Sequence, residues 1–293
     1  MLQILLGEHP QVSTTVELTL FTRYAMPWLT TWDEEKRNSL EGKWHQGLPF
    51  VWEREEVAAF LKTFVDRIYS KLQEKKPGAT HILDKYPGNS MVVPLIRNFL
   101  PEARFIHVIR DGRDVACSMI SAAEKIGFGT RTIRDSAYAW KRHFLAAQEA
   151  RSYGRDYLEV RYEDLIGNGM ETYRQVLNFC GLSYDEKWVA SVIENNSFEK
   201  MKAARRVADS SVKAREGHYR SGRAGGWKET LSIDDRFEFE RAAGDLLREL
   251  GYETSSEWWQ ESAVANLMTR VRSEIRRRVR NAARAVRRRL NHY

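Results

Sequence analysis

The apolar positions of this chain change rhythm several times along its length. Between residues 53 and 73, "EREEVAAFLKTFVDRIYSKLQ", Val57, Phe60, Leu61, Phe64, Ile68 and Leu72 recur at helical spacing on one face. That spacing predicts a long amphipathic helix, which "KPGAT" ends. A short strand follows in "THILDKYP", and "NSMVVPLIRNFL" predicts a helix behind an Asn89 cap. Arg104 to Ile109 reads as a buried strand, with helices predicted near 111–123 and 133–151. "DYLEVRYEDL" is a further short strand, stopped at Glu163 and Asp164, and a helix runs through "YRQVLNFCGL". A last helix of this pattern covers Asp234 to Leu250 and stops at Gly251. Strands alternating with helices predict a layered α/β fold with a mainly parallel sheet. Two segments, 24–52 and 203–228, interrupt the pattern as loop-rich stretches.

Composition narrows the class. A chain of 293 residues with 42% hydrophobic and 30% charged residues is long enough for a large core and is not of disordered composition. No apolar run approaches the ~20 residues that span a bilayer. The opening "MLQILL" is too short for the apolar core of a signal peptide. Two cysteines, Cys117 and Cys180, give neither a disulfide framework nor metal-ligand spacing, so a reduced, cytoplasmic setting is the expectation.

The net charge of +7 is unevenly placed. Ten arginines and one acid, Glu274, lie between Arg270 and Arg289, leaving 37 basic and 39 acidic residues elsewhere. The basic balance is therefore no argument that the body binds nucleic acid. In the tail, Val264, Leu267, Val271, Ile275, Val279, Ala283, Val286 and Leu290 recur every three or four residues among the arginines. This predicts a basic amphipathic helix over 257–293, after a main domain at 1–256. It suits an anionic membrane surface or a polyanion, or else packs on the body or another subunit.

The chemistry concentrates where the strand 104–109 turns into a helix, at Arg110, Asp111, Arg113 and Asp114. In open α/β sheets, ligands bind beyond the carboxyl ends of the strands, where helix N-termini present unpaired N–H groups. Arg110 there, with Ser118 in the following helix, suits a phosphate group, and Asp111 and Asp114 are placed to cap the helix and hold the arginines. An ion-pair cluster tying the helix start to neighbouring loops is the equal alternative on composition alone. The four tryptophans Trp28, Trp32, Trp44 and Trp52 fit stacking on a sugar or aromatic ligand as a lid, or the packing of a loop onto the body.

The order "DKYP", "FLPEARFIHVIRDGRDVACSMI", "YLEVRYEDL", "GRAGGWKETLS" and "LGY" resembles the sulfotransferases that use 3′-phosphoadenylyl sulfate (PAPS), nearest to their tyrosylprotein and carbohydrate branch. It covers roughly residues 1 to 252. The resemblance implies a P-loop-NTPase-like, three-layer α/β fold and transfer of a sulfuryl group to an acceptor hydroxyl. That acceptor is a carbohydrate, a tyrosyl peptide or a small molecule, and the nucleotide product is adenosine 3′,5′-bisphosphate (PAP). Carried over by motif, Arg110, Ser118 and Tyr162 contact the 3′-phosphate, as does the late glycine loop at Arg220, Ser221 and Gly222. Lys85 lies near the transferring group and Glu17 is the base. Two departures stand out: Val16 replaces the first of two adjacent glutamates, and Ser221 replaces a lysine found in the small-phenol branch. No metal is implied.

The resemblance also implies a strand and a glycine-rich loop of the type "RSGTT" ahead of the first helix, cradling the donor's 5′-phosphosulfate. "MLQILLGEHPQV" matches the continuation of that helix, so a longer protein, a gap in the sheet and weak or absent transfer by these 293 residues are expected. Two rivals are a PAP-binding relative without turnover and a polyanion or membrane binder acting through its tail.

Overall fold

The computed structural model of the chain describes residues 1–196 and 224–260. Helix α1 (Leu2–Gly7) leads into strand β1 (Val12–Thr14). A π-helical turn, Phe21–Ala25, opens α2 (Met26–Leu40), and α3 (Arg54–Glu74) precedes β2 (His81–Leu83). A 3-10 turn, Pro87–Val92, runs into α4 (Val93–Phe99), then β3 (Phe105–Ile109), α5 (Gly112–Ile126) and α6 (Ile133–Ala147). A 3-10 stretch, Gln148–Asp156, leads to β4 (Tyr157–Arg161), followed by α7 (Tyr162–Gly167), α8 (Gly169–Cys180) and α9 (Glu186–Asn195). After residue 224 come α10 (Trp227–Thr230) and α11 (Ile233–Glu249). The architecture is α/β, with every described strand pair parallel. The predicted tail helix lies outside the described residues.

Two compact units divide the chain: Met1–Arg110 with Arg142–Ala224, and Asp111–Lys141 with Gly225–Tyr293. The first holds all four strands found among the described residues. β1 pairs with β2 in the register Val12↔His81 to Thr14↔Leu83, and β3 with β4 from Phe105↔Tyr157 to Ile109↔Arg161. Among the described residues no ladder joins the two pairs. Both pairs nevertheless start against one helix end. His81 Nε2 lies 3.1 Å from the Cys180 carbonyl oxygen, and Arg104 Nη1 donates to that of Phe179 at 2.9 Å. Two apolar clusters fill this unit. Leu5, Leu6, Val12, Val160, Tyr173, Leu177 and Val189 belong to one; Phe21, Leu29, Val57, Leu61, Val65 and Phe99 belong to the other. Successive side chains of β3 point to opposite sides, so Ile106 packs against the first cluster and Phe105 against the second.

Local chemistry explains most boundaries. Glu53 and Glu56 form a capping box at the start of α3, with the Glu53 N–H donating to Glu56 Oε2 at 2.9 Å. Val57, Leu61, Val65 and Leu72 are its buried residues, while Phe60 sits at the edge of the stripe, half-exposed, beside Trp28 and Trp52. In the second unit, Ser232 and Asp235 form the equivalent box for α11. The cap of α5 is Asp111, whose Oδ1 accepts from the Arg113 N–H at 2.9 Å.

Four expectations are corrected. Segment 24–52 is largely helical, because α2 occupies Met26–Leu40; only Leu29 and Trp32 are buried within it, a stripe too thin to read as periodic. Asn89 caps nothing: it lies inside the 3-10 turn that Pro87 opens, and α4 starts later with a proline in its first turn. The helix expected at 133–151 stops at Ala147 and continues as 3-10. β3 is less enclosed than a core strand, with Ile109 buried and Val108 40% exposed.

Candidate active site

Both strand pairs carry their candidate residues just beyond their carboxyl ends. At the first pair, β1 ends at Thr14 and β2 at Leu83, and the parallel register carries the two chains out side by side. There the ammonium of Lys85 forms an ion pair and hydrogen bond with Glu17 Oε1. The two side chains are 48% and 41% exposed, so solvent reaches both. Such a pair contributes only about 0–1 kcal/mol to stability, and its members exchange partners at little cost.

Behind Lys85 the environment closes. The carboxyl group of Asp84 accepts from the Tyr69 hydroxyl at 2.9 Å, fastening the end of β2 to α3. Burial pushes the Asp84 carboxyl above its usual range; the hydrogen bonds from Tyr69 and Asn89 oppose this, and the nearby Glu17 charge adds to it. The Tyr69 hydroxyl is pushed up too, by burial first and then by Asp84. Two residues after Glu17, Thr19 has φ +53, the one positive φ outside glycine among the described residues. A β-branched residue there carries strain of about 1–3 kcal/mol. The turn holding it donates the Arg23 N–H to the Thr19 carbonyl at 2.9 Å.

At the second pair, the last register match is Ile109↔Arg161, so Arg110 and Tyr162 are the next residues out. The Arg110 guanidinium carbon lies 4.3 Å from the centroid of the Tyr162 ring. Stacking fixes the plane of the guanidinium, whose fork of donors matches the geometry of a bidentate anion.

The other junction charges point elsewhere. Arg113 Nε and Nη2 reach the two oxygens of Asp111 at 3.0 and 2.8 Å. Asp114, fully buried, accepts the backbone N–H of Gly225 at 2.7 Å and of Trp227 at 2.9 Å. Asp111 thus caps the helix and holds Arg113, as its position suggests, while Asp114 accepts two backbone N–H groups. Ser118 lies one helical turn after Asp114, half-buried. Gly112 is required by close approach, since a Cβ there would come within 2.4 Å of the Trp140 ring. Arg220, Ser221 and Gly222 lie outside the described residues.

Three of the tryptophans of 24–52, Trp28, Trp32 and Trp52, make packing contacts, while Trp44 is half-exposed. Trp32 is buried and donates Nε1–H to the Trp52 carbonyl at 2.9 Å, and Trp28 stacks on Phe60. Among the described residues no cluster of three or more His, Cys, Asp or Glu is arranged to hold a metal. A groove of about 630 Å³ in the second unit is lined by Cys117, Ile120, Ile133 and Leu231 together with Arg131, Arg134, Asp235 and Glu238; no candidate residue lines it.

Residues 1–186 match a family model described as "Sulfotransferase family", and the chain belongs to that family. It is 26% identical over 188 residues to a putative protein-tyrosine sulfotransferase of Caenorhabditis elegans, covering 64% of this chain and 67% of that one. It is 24% identical over 201 residues to a protein-tyrosine sulfotransferase of Drosophila melanogaster, covering 68% of this chain and 38% of the fly protein. A crystal structure of a mouse sulfotransferase, SULT7A1, complexed with PAP superposes with a TM-score of 0.48 at 18% identity, over 66% of this chain and 75% of that one.

Proposed function

We propose that the chain transfers the sulfuryl group of PAPS to an acceptor hydroxyl, with Glu17 as general base and Lys85 as the cation facing the transferring group. The observation that carries this reading is the Glu17–Lys85 ion pair beyond the ends of β1 and β2. Membership of the sulfotransferase family supports the reaction class.

The acceptor oxygen attacks sulfur as the sulfur–oxygen bond to the donor's phosphate breaks. The hydroxyl proton passes to the Glu17 carboxylate, and the charge left on the phosphate oxygen faces the Lys85 ammonium. Glu17 and Lys85 hold each other at rest. Donor oxygens draw Lys85 away at small energetic cost, which leaves the carboxylate ready to accept a proton.

Arg110, Ser118 and Tyr162 are assigned to the 3′-phosphate, and Arg220, Ser221 and Gly222 to the same group. The Arg110–Tyr162 stack supports the assignment of those two, because it pre-orients a fork of donors. The acceptor bears a hydroxyl. The names of the nematode and fly relatives make a tyrosyl peptide the first candidate, ahead of carbohydrates and small phenols.

The test is acceptor-dependent release of PAP from PAPS by the purified chain, across tyrosyl peptides, polysaccharides and phenols. Release with one acceptor class supports the proposal and names the class. Tight binding of PAP with no release by any acceptor makes the chain a nucleotide-binding relative without turnover.

A further inference from the structure

In the second unit Arg113 is 2% exposed, and the proposed chemistry does not use it. Its guanidinium carbon lies 3.7 Å from the ring centroid of Trp227 and 4.6 Å from that of Trp258. The two indoles meet edge to face, with centroids 5.4 Å apart. Arg113 also donates to Asp111, to the carboxylate of Glu253 and to the Tyr252 carbonyl. Trp258 is itself fastened, because its Nε1–H donates to Glu240 Oε2 at 2.6 Å while Arg248 donates to Glu240 Oε1 at 2.6 Å. The cage therefore ties the first turn of α5 to residues 252–258, which lie some 140 positions further along the chain.

Burying a fully bonded charge adds little net stability, since desolvation offsets the attraction. What such a cluster does supply is fixed geometry. Here the groups it fixes border the proposed nucleotide contacts: Asp111 directly follows Arg110, and Asp114, one turn before Ser118, holds the Gly225 and Trp227 amides.

We propose that Glu253 and Trp258 are positioning residues for nucleotide binding, acting through Arg113 on the start of α5 and on the backbone at Gly225–Trp227. This rests on the nucleotide reading of Arg110 and Ser118 given above. Neither residue lies within the segment 1–186 that matches the family model.

The experiment compares the full chain with Trp258→Leu, Trp258→Phe and Glu253→Gln. Hydrogen exchange reads the Gly225 and Trp227 amides, calorimetry reads PAP affinity, and thermal unfolding checks that each variant is folded. Trp258→Leu should expose both amides and weaken PAP binding, each by about tenfold. Trp258→Phe keeps a ring over Arg113 and should restore both, and Glu253→Gln, the milder change, should show both effects in smaller measure. With PAPS as donor, KM should rise while kcat at saturation holds. Unchanged amide protection in Trp258→Leu overturns the proposal, and so does lost protection with parent-like PAP affinity. If the parent binds no PAP, the nucleotide reading is what has failed and the proposed role falls with it; the exchange data then still report whether the cage holds the two amides. If Trp258→Leu does not fold, Glu253→Gln decides by the same two readouts.

Discussion

Arg110 lies with its guanidinium carbon 4.3 Å from the Tyr162 ring, each residue the first beyond the end of its own strand in the β3–β4 pair. This stack makes the junction testable. Arg110→Ala should weaken PAP binding by about 1.5–3 kcal/mol, the scale of a charge-assisted hydrogen bond. Tyr162→Phe, which keeps the ring face, should weaken it far less. Calorimetry that found Arg110→Ala binding like the parent would return the junction to a structural role.

Asp114 should matter for folding. It holds two backbone N–H groups in the interior, so Asp114→Ala leaves both without an acceptor. A loss of about 2–4 kcal/mol in denaturant unfolding is expected. A loss below 1 kcal/mol would show that water or neighbouring groups replace the carboxylate.

Gly112 gives a sharper steric test. Alanine is the better helix former, yet its Cβ would meet the Trp140 ring at 2.4 Å. Gly112→Ala should therefore destabilise the protein by about 1–3 kcal/mol, against the roughly 1 kcal/mol gain that helix propensity alone predicts.

Acid stability should depend on His107. Burial lowers its pKa from 6.5 to about 4, against the pull of Glu159, and its Nδ1 lies 2.9 Å from the Tyr157 hydroxyl. The folded state thus binds this proton more weakly than the unfolded chain does. The stability this confers is present above pH 6.5 and is lost as pH falls towards about 4. Denaturant unfolding across that window should show the decline, and His107→Phe should remove this part of it. An identical pH slope in both proteins would contradict the assignment.

Much of the fold was legible because its signals are local. The strand Phe105–Ile109, its turn at Asp111 and the helix behind it follow from an apolar run, an Asp cap and helical spacing. The capped helix at Arg54–Glu74 is equally plain, although Phe60 lies at the rim of its stripe and not in the core. Helix α2 was hidden because it buries too few residues to show a period. At the candidate site, Glu17 and Lys85 were proposed only through resemblance, and their pairing was not legible, since 68 positions separate them and no periodicity links them. At the junction, four charges within five positions left a phosphate site and an ion-pair cluster tying the helix start to neighbouring loops as equal readings. Arg113 pairs with Asp111 and Glu253 in the manner of the second, but its partners at 252–258 were not legible. Spacing within a motif does not encode a partner so distant in sequence.

The central claim is that Glu17 and Lys85 perform the transfer. Its most direct test is the rate of acceptor-dependent PAP release from PAPS by Glu17→Gln and Lys85→Met beside the parent, with PAP affinity measured on the same preparations. The account predicts that each substitution lowers kcat by about 10²–10⁴-fold while PAP affinity stays near that of the parent. Parent-like turnover in either variant would contradict it.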